Sequence, residues 1–386
     1  MTAIRRTAGK SRRAILVVLT AAVSLSAAEL TCFLFFHLLG ERFAFANPEL
    51  YTRAPERTAG FARGFDAELG WEPRFDTAFG ERRRPRDYER PFLATFGDSH
   101  TYCDEVGDAE TWQGYLSDVL EADVLNFGVS GYGPDQALLR YRRLAPRAPT
   151  PLVALGLGLE NINRIVNRYR PFYYRDTGLP LPKPRFVLEE NRLRLLPNPV
   201  RSPVELERLA DPEFVAALGE GDAWYERRDL PRRRFPYLAL LLEPAIWRQA
   251  AGGGRAAGDD DPVPRANLWR EREPRELYFA IMDAFAKDAE SAGSRALFVV
   301  QPGRALLGAR RENRGIPGYA RVLRRCEERA YACFDGVEAL HRAAGDTPLG
   351  ELFQRGGHAS ALGNRLMAEA LAGFLRERGL APGPSG

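Results

Sequence analysis

Cysteine is scarce, with four residues in 386, and no two of them have the spacing of a metal site. Cys32 falls in a long apolar run, and Cys103 sits in a polar stretch that offers it no base of its own. Cys326 and Cys333 lie where a helix is predicted to end and a strand to begin, and an oxidising exterior would allow them to pair. An excess of one charge is also missing: 55 basic against 51 acidic residues leave a net charge of +4, which argues against a nucleic-acid binder. Lysine is nearly absent, at positions 10, 183 and 287, so arginine carries the positive charge; base composition explains that bias without any function. With only four histidines, the choice of general base is narrow.

Apolar length is present at the N-terminus. Arg5, Arg6, Lys10, Arg12 and Arg13 precede an apolar run from Ala14 to Gly40 that only Glu29 and His37 interrupt. That run is long enough to span a bilayer, and the basic flank places residues 1–13 in the cytoplasm and the bulk of the chain outside. Ser26-Ala27-Ala28 resembles a peptidase site, but the apolar run continues to Leu39, which favours an uncleaved anchor over residues 14–40. A charged Glu29 is costly there, so protonation or pairing with another helix is expected, or simple tolerance toward the outer half.

Residues 41–90, arginine-rich and broken by Pro48, Pro55, Pro73 and Pro85, read as a juxtamembrane segment with little helix and one structured island from Asp66 to Trp71. Strand candidates then recur at Phe92 to Phe96, Asp123 to Val129, Pro151 to Leu159, Arg295 to Gln301 and Ala332 to Val337. Helical patterns separate them at Glu110 to Leu120, Pro134 to Arg143 and Glu273 to Ala289, which predicts a three-layer α/β/α domain over residues 91–380 around a mostly parallel five-stranded sheet. Residues 164–272 break the alternation and form an insertion. In it a hairpin is expected over Arg185 to Leu196, a helix from Ser202 to Leu209, and a mobile run from Gly252 to Pro264. Its aromatics, Trp224 and Tyr225 among them, together with Arg232, Arg233 and Arg234, are candidates for a substrate surface, for a cap on the core or for contact with the membrane.

Phe92 to Phe96 followed by Gly97-Asp98-Ser99 places Ser99 at the carboxyl end of a buried strand, where helix N-termini and turn amides face a ligand. His37 lies in the apolar run, His100 adjoins the serine and His341 sits in a predicted helix, so His358 is the best candidate base. It occupies a glycine-rich turn, Gly356-Gly357-His358, before a helix that Ser360 can cap. Gly97-Asp98-Ser99, the turn Asn126 to Gly133, the segment Gly158 to Asn163 and His358 before the last helix resemble, in order, blocks I, II, III and V of the SGNH (GDSL-type) hydrolase family.

The resemblance implies a flavodoxin-like fold, Ser99 as nucleophile and His358 as base, with no metal or cofactor. It also implies an oxyanion hole from the Gly131 NH and an asparagine amide, Asn161 by alignment with the strand end, with Asn163 the alternative. The family's usual aspartate three residues before the histidine is Arg355 here. A backbone carbonyl, Asp346 or Glu351 is therefore the candidate that orients His358. Asp98 reads as a turn-stabilising acceptor and Glu160 as structural. The expected activity is an extracytoplasmic, membrane-anchored serine esterase acting on O-acyl, above all O-acetyl, groups of a cell-envelope or exported glycan. The rivals are an O-acyltransferase fed by a membrane acyl-donor protein, and a degenerate glycan-binding protein.

Overall fold

A computed structural model describes residues 2–38, 43, 45, 48–174, 177, 179–226, 231–251 and 267–383. The strands that centre the fold are β1 (Pro91–Phe96), β2 (Asp123–Asn126), β3 (Leu152–Leu157), β4 (Arg295–Val300) and β5 (Ala332–Asp335). They form one parallel sheet in the order β2-β1-β3-β4-β5, with Ala94 opposite Leu125 on one side and Val153 on the other. Their inner residues are buried on both faces, as unbroken Val/Leu/Phe/Ala runs require when helices cover both sides.

One layer holds α1 (Trp112–Leu120), α2 (Gly336–Ala344) and α3 (Ala361–Glu377), whose Trp112, Leu116, Leu371 and Leu375 pack on Leu93, Val124 and Leu297. The other holds α4 (Pro134–Leu144) and α5 (Arg272–Ser291), which bury Leu138, Tyr141, Ile281 and Phe285 against Phe96, Leu155 and Phe298. Ser360 caps α3 as predicted, its Oγ accepting from the Gly363 NH at 3.2 Å. The strand order reverses at β1, so the crevice at the carboxyl ends of β1 and β3 is where a ligand is expected.

Two expectations need correction, for residues 41–90 and for Ser202 to Leu209, while the insertion keeps its expected hairpin. Residues 41–90, expected to hold little helix, contain a helix at Pro55–Ala62 besides the expected island, which is a hairpin pairing Phe65–Asp66 with Gly70–Trp71, and Tyr51, Phe61, Leu69 and Trp71 enter the main core. The insertion is joined to the same core, where its hairpin (Arg185–Glu189 with Arg192–Leu196) leads from Lys183, whose Nζ lies 2.5 Å from the buried Asp135 carboxylate of α4. The stretch Ser202 to Leu209 is a 3-10 helix over Val204–Ala210. The run expected to be mobile, Gly252 to Pro264, lies outside the described residues.

At the N-terminus a single helix runs over Thr2–Leu38, continuous through the basic flank, and its Ile15–Leu38 portion is long and apolar enough to cross a membrane.

Candidate active site

Ser99 opens a one-turn helix, Ser99–Tyr102, that Asp98 caps: the Asp98 carboxylate accepts the His100 NH at 3.0 Å. The Ser99 side of this turn is 8% exposed, and its Oγ has no hydrogen-bond partner among the described residues. Asp98 is fully buried, which by itself would raise its carboxyl; the nearby His100 and Arg164 side chains, the Asn161 amide and the His100 NH outweigh burial and hold it below its ordinary value. Asp98 is thus the turn-stabilising acceptor the sequence suggests.

His358 meets this turn from the other end of the chain. Its Nδ1 lies 2.8 Å from Glu105 Oε2, and the second Glu105 oxygen accepts the Gly356 NH at 3.0 Å. The hydrogen bond from His358 is the main reason that the Glu105 carboxyl is held below its usual range. The carboxylate that orients the imidazole is therefore Glu105, on the loop that follows Ser99, and not Asp346 or Glu351. Those two are exposed and make no side-chain bond to His358; the Glu351 carbonyl instead accepts from Ser360 Oγ at 2.5 Å. A Cβ at Gly356 would lie 2.4 Å from Glu105 Oε2, so any side chain there would push the carboxylate off its place.

The loop that presents Glu105 is bent by two non-glycine residues in the left-handed region, Cys103 at φ 65° and Glu105 at φ 71°. Arg82 holds it. Its Nε bonds Asp108 at 2.7 Å, Nη1 donates to the Tyr102 and Cys103 carbonyls at 2.6 and 3.0 Å, and Nη2 to Val106 at 2.6 Å. Asp104, the next residue on this loop, accepts from Ser130 Oγ at 2.5 Å and places its other oxygen 4.0 Å from His358 Nε2. The His100 and His358 rings stand 4.9 Å apart. Burial pushes the Cys103 thiol up to about 12, which keeps it out of the chemistry.

Gly131 adopts φ +85°, a conformation favouring glycine, and its carbonyl is held by Arg170 while Trp71 Nε1 donates to Ser130 O at 3.0 Å. The Gly131 NH has no acceptor among the described residues. Asn161 is fully buried, and one of its amide hydrogens goes to Asp98 Oδ2 at 2.7 Å, which leaves the other for an oxyanion. Asn163 instead folds back on the Glu160 carbonyl at 2.9 Å. Trp224 and Tyr225 are not at the site. Trp224 is buried with its indole NH on the Asn163 carbonyl, and Tyr225 packs on Tyr51 and Phe172, so both belong to the core of the insertion.

Two clefts border this centre. One of about 760 Å³ runs from His100 and Gly356 over Glu160, Leu268 and Trp269 to Arg304. The other, of about 500 Å³, lies between Phe61, Trp71, Tyr102 and Gly131. Among the described residues no group of acidic, histidine and cysteine side chains could hold a metal.

No protein-family model matches the chain, and no curated protein does. Among solved structures it is similar to a member of the lipolytic protein G-D-S-L family from Veillonella parvula, 12% identical over 72% of this chain and 94% of that one, with a TM-score of 0.36. It is also similar to an acetylxylan esterase from Geobacillus stearothermophilus, crystallised as a catalytic mutant: 15% identical over 80% of this chain and all of that one, TM-score 0.38. An alpha/beta hydrolase from the metagenome of Lake Arreo, Spain, matches at 14% identity over 76% and 97% of the two chains, TM-score 0.39. At these scores the likenesses assign no activity, which has to come from the geometry of the site itself.

Proposed function

We propose that this chain is an SGNH-type serine esterase, anchored in the membrane by its N-terminal helix, that removes O-acyl groups, O-acetyl above all, from an extracytoplasmic glycan. The observation that carries the catalytic part is the seating of His358 by Glu105 on the loop that Ser99 opens. Ser99 Oγ attacks the acyl carbonyl, forming the C–O bond as His358 Nε2 takes the hydroxyl proton. Glu105 fixes the Nδ1–H tautomer and stabilises the imidazolium. The Ser99 NH at a helix start, the Gly131 NH and the remaining Asn161 hydrogen receive the oxyanion. His358 then gives its proton to the departing sugar oxygen, and water, deprotonated by the same imidazole, releases the carboxylic acid from Ser99. The acyl-enzyme is the same if a sugar hydroxyl replaces water, which is the O-acyltransferase variant of the reaction.

The larger cleft, with Trp269 in its apolar wall and Glu160, Asn163, Asn267 and Arg304 among its polar residues, suits a sugar chain with one apolar face. A second reading, a glycan-binding protein that has lost catalysis, draws on the absence of a Ser99–His358 hydrogen bond among the described residues. Catalytic hydrogen bonds are often loose before substrate arrives, so the esterase is the conclusion adopted. Fluorophosphonate labelling of the full-length protein separates the two. The esterase labels, while Ser99→Ala and His358→Ala do not; a wild-type protein that resists the probe is the binding protein.

A further inference from the structure

Glu29, the one acidic residue within the apolar helix, faces an unexpected partner. Its carboxylate accepts the backbone NH of Tyr237 at 2.7 Å and that of Leu238 at 3.3 Å, both from the insertion. Those two amides begin a 3-10 helix, Tyr237–Leu242, of sequence YLALLL, which is followed by a helix over Pro244–Ala250. Leu240 and Ile246 are buried against Cys32 and Phe36 of the N-terminal helix, and the Tyr237 ring lies 5.1 Å from Phe33 and 5.6 Å from His37. One side of this element is therefore covered by the apolar helix. The other is not: Phe235 is 73% exposed, Leu242 84% and Trp247 58%. The 3-10 turn carries only Tyr, Leu and Ala side chains, with the exposed Glu243 at its end, and no protein layer covers its outer face among the described residues.

We propose that residues 235–250 form a second membrane element, set into the outer leaflet beside the single span and fixed to it by Glu29. The inference rests on the reading of the N-terminal helix as an anchor. The occupant of the open face is lipid acyl chain. Leu242 and Trp247 are borne by the element that packs on residues 29–37, and the helix itself exposes Leu30, Leu34 and Leu38 beside that contact. Leu38 lies nine positions beyond Glu29, so at 1.5 Å per residue the Glu29 contact sits about 14 Å inside the outer end of the span.

Irregular backbone at that depth needs its polar groups satisfied by protein, which the Glu29 carboxylate does for the Tyr237 and Leu238 amides. The Trp247 indole NH is likewise satisfied by the Leu241 carbonyl at 2.7 Å, so its ring enters lipid without an unpaired donor. Arg233 and Arg234 are exposed just before Phe235, and the Arg233 guanidinium lies over the Phe45 ring at 5.4 Å.

The test uses the full chain in phosphatidylcholine nanodiscs, with and without phosphatidylglycerol, carrying an environment-sensitive fluorophore on Leu242→Cys; unsubstituted protein gives the background from native cysteines. Leu19→Cys in the span and Leu195→Cys on the exposed hairpin are the controls. The expected result is a blue shift at Leu242 and at least about a twofold loss of emission to a shallow lipid-borne quencher, as for a side chain ~5–10 Å below the headgroup boundary. Glu29→Leu should return the Leu242 signal toward that of Leu195. Quenching at Leu19 with none at Leu242 overturns the inference alone, and an unchanged Leu242 signal in Glu29→Leu overturns the tether. No quenching at Leu19 overturns the anchor and this element with it.

Discussion

Glu105 is the residue whose removal tests the site most directly. Its two oxygens accept from two donors, His358 Nδ1 at 2.8 Å and the Gly356 NH at 3.0 Å, so it fixes both the tautomer of the base and the turn that carries it. A buried carboxylate in this role is worth about 10⁴ in kcat. The side chains here are 34% and 18% exposed, so solvent shares the work and a loss of about 10² to 10³ is expected for Glu105→Ala, or ~2.7–4.1 kcal/mol of transition-state stabilisation. KM should stay nearly constant, because Glu105 acts through His358.

Glu105→Gln is no rescue. An amide has one acceptor oxygen, and its NH₂ would face the second donor, so this variant should fall closer to alanine than to wild type. The assay is aryl acetate turnover by the full-length protein in detergent, with Glu105→Ala, His358→Ala and the double variant. The double variant should match His358→Ala within about threefold, because the two act as one unit. Losses that multiply, or a Glu105→Ala enzyme with wild-type kcat, would refute the arrangement.

Arg82→Lys should cost about 2–4 kcal/mol of stability by chemical denaturation, because one ammonium cannot serve a carboxylate and three carbonyls spread along residues 102–108, and kcat should fall with the loop; an unchanged midpoint would count against its role. Gly356→Ala drives a methyl into Glu105 and should lower kcat while leaving the unfolding midpoint close to that of wild type; full activity would show that the carboxylate can shift without consequence. Asp98 has a lower carboxyl value folded than unfolded, so its stabilisation is complete above about pH 4 and fades as pH falls through the lowered folded value. Urea midpoints measured from neutral to acid pH should therefore drop further for wild type than for Asp98→Asn, and parallel curves would exclude the linkage.

The sheet was legible because each strand is a short apolar run ending at a turn and each intervening helix keeps its three-to-four spacing, as Pro134–Leu144 does. The turns that hold Ser99, Gly131 and His358 were legible because they follow strands or precede a helix. Glu105 was not. It lies in a polar loop beside Asp104 and Asp108, 253 positions from its histidine, and only the left-handed turns at Cys103 and Glu105 aim it. The burial of residues 41–90 outside the Asp66 to Trp71 island was hidden for a similar reason. Tyr51, Phe61 and Arg82 are buried one at a time, without a period that a sequence pattern could register. Trp224 and Tyr225 drew attention as an aromatic pair beside arginines, but aromatic residues close in sequence are as readily the core of a small subdomain, and the buried Asp222 beneath them caps that turn.

The division of labour between two distant loops also sets an order of events. When the orienting acid and the base share one loop, each can be ready as soon as that loop folds. Here the acid emerges with the first third of the chain and waits for an imidazole near its end. A nascent or clipped polypeptide lacking the last thirty residues therefore has no imidazole for Glu105 to orient, however well its sheet has formed.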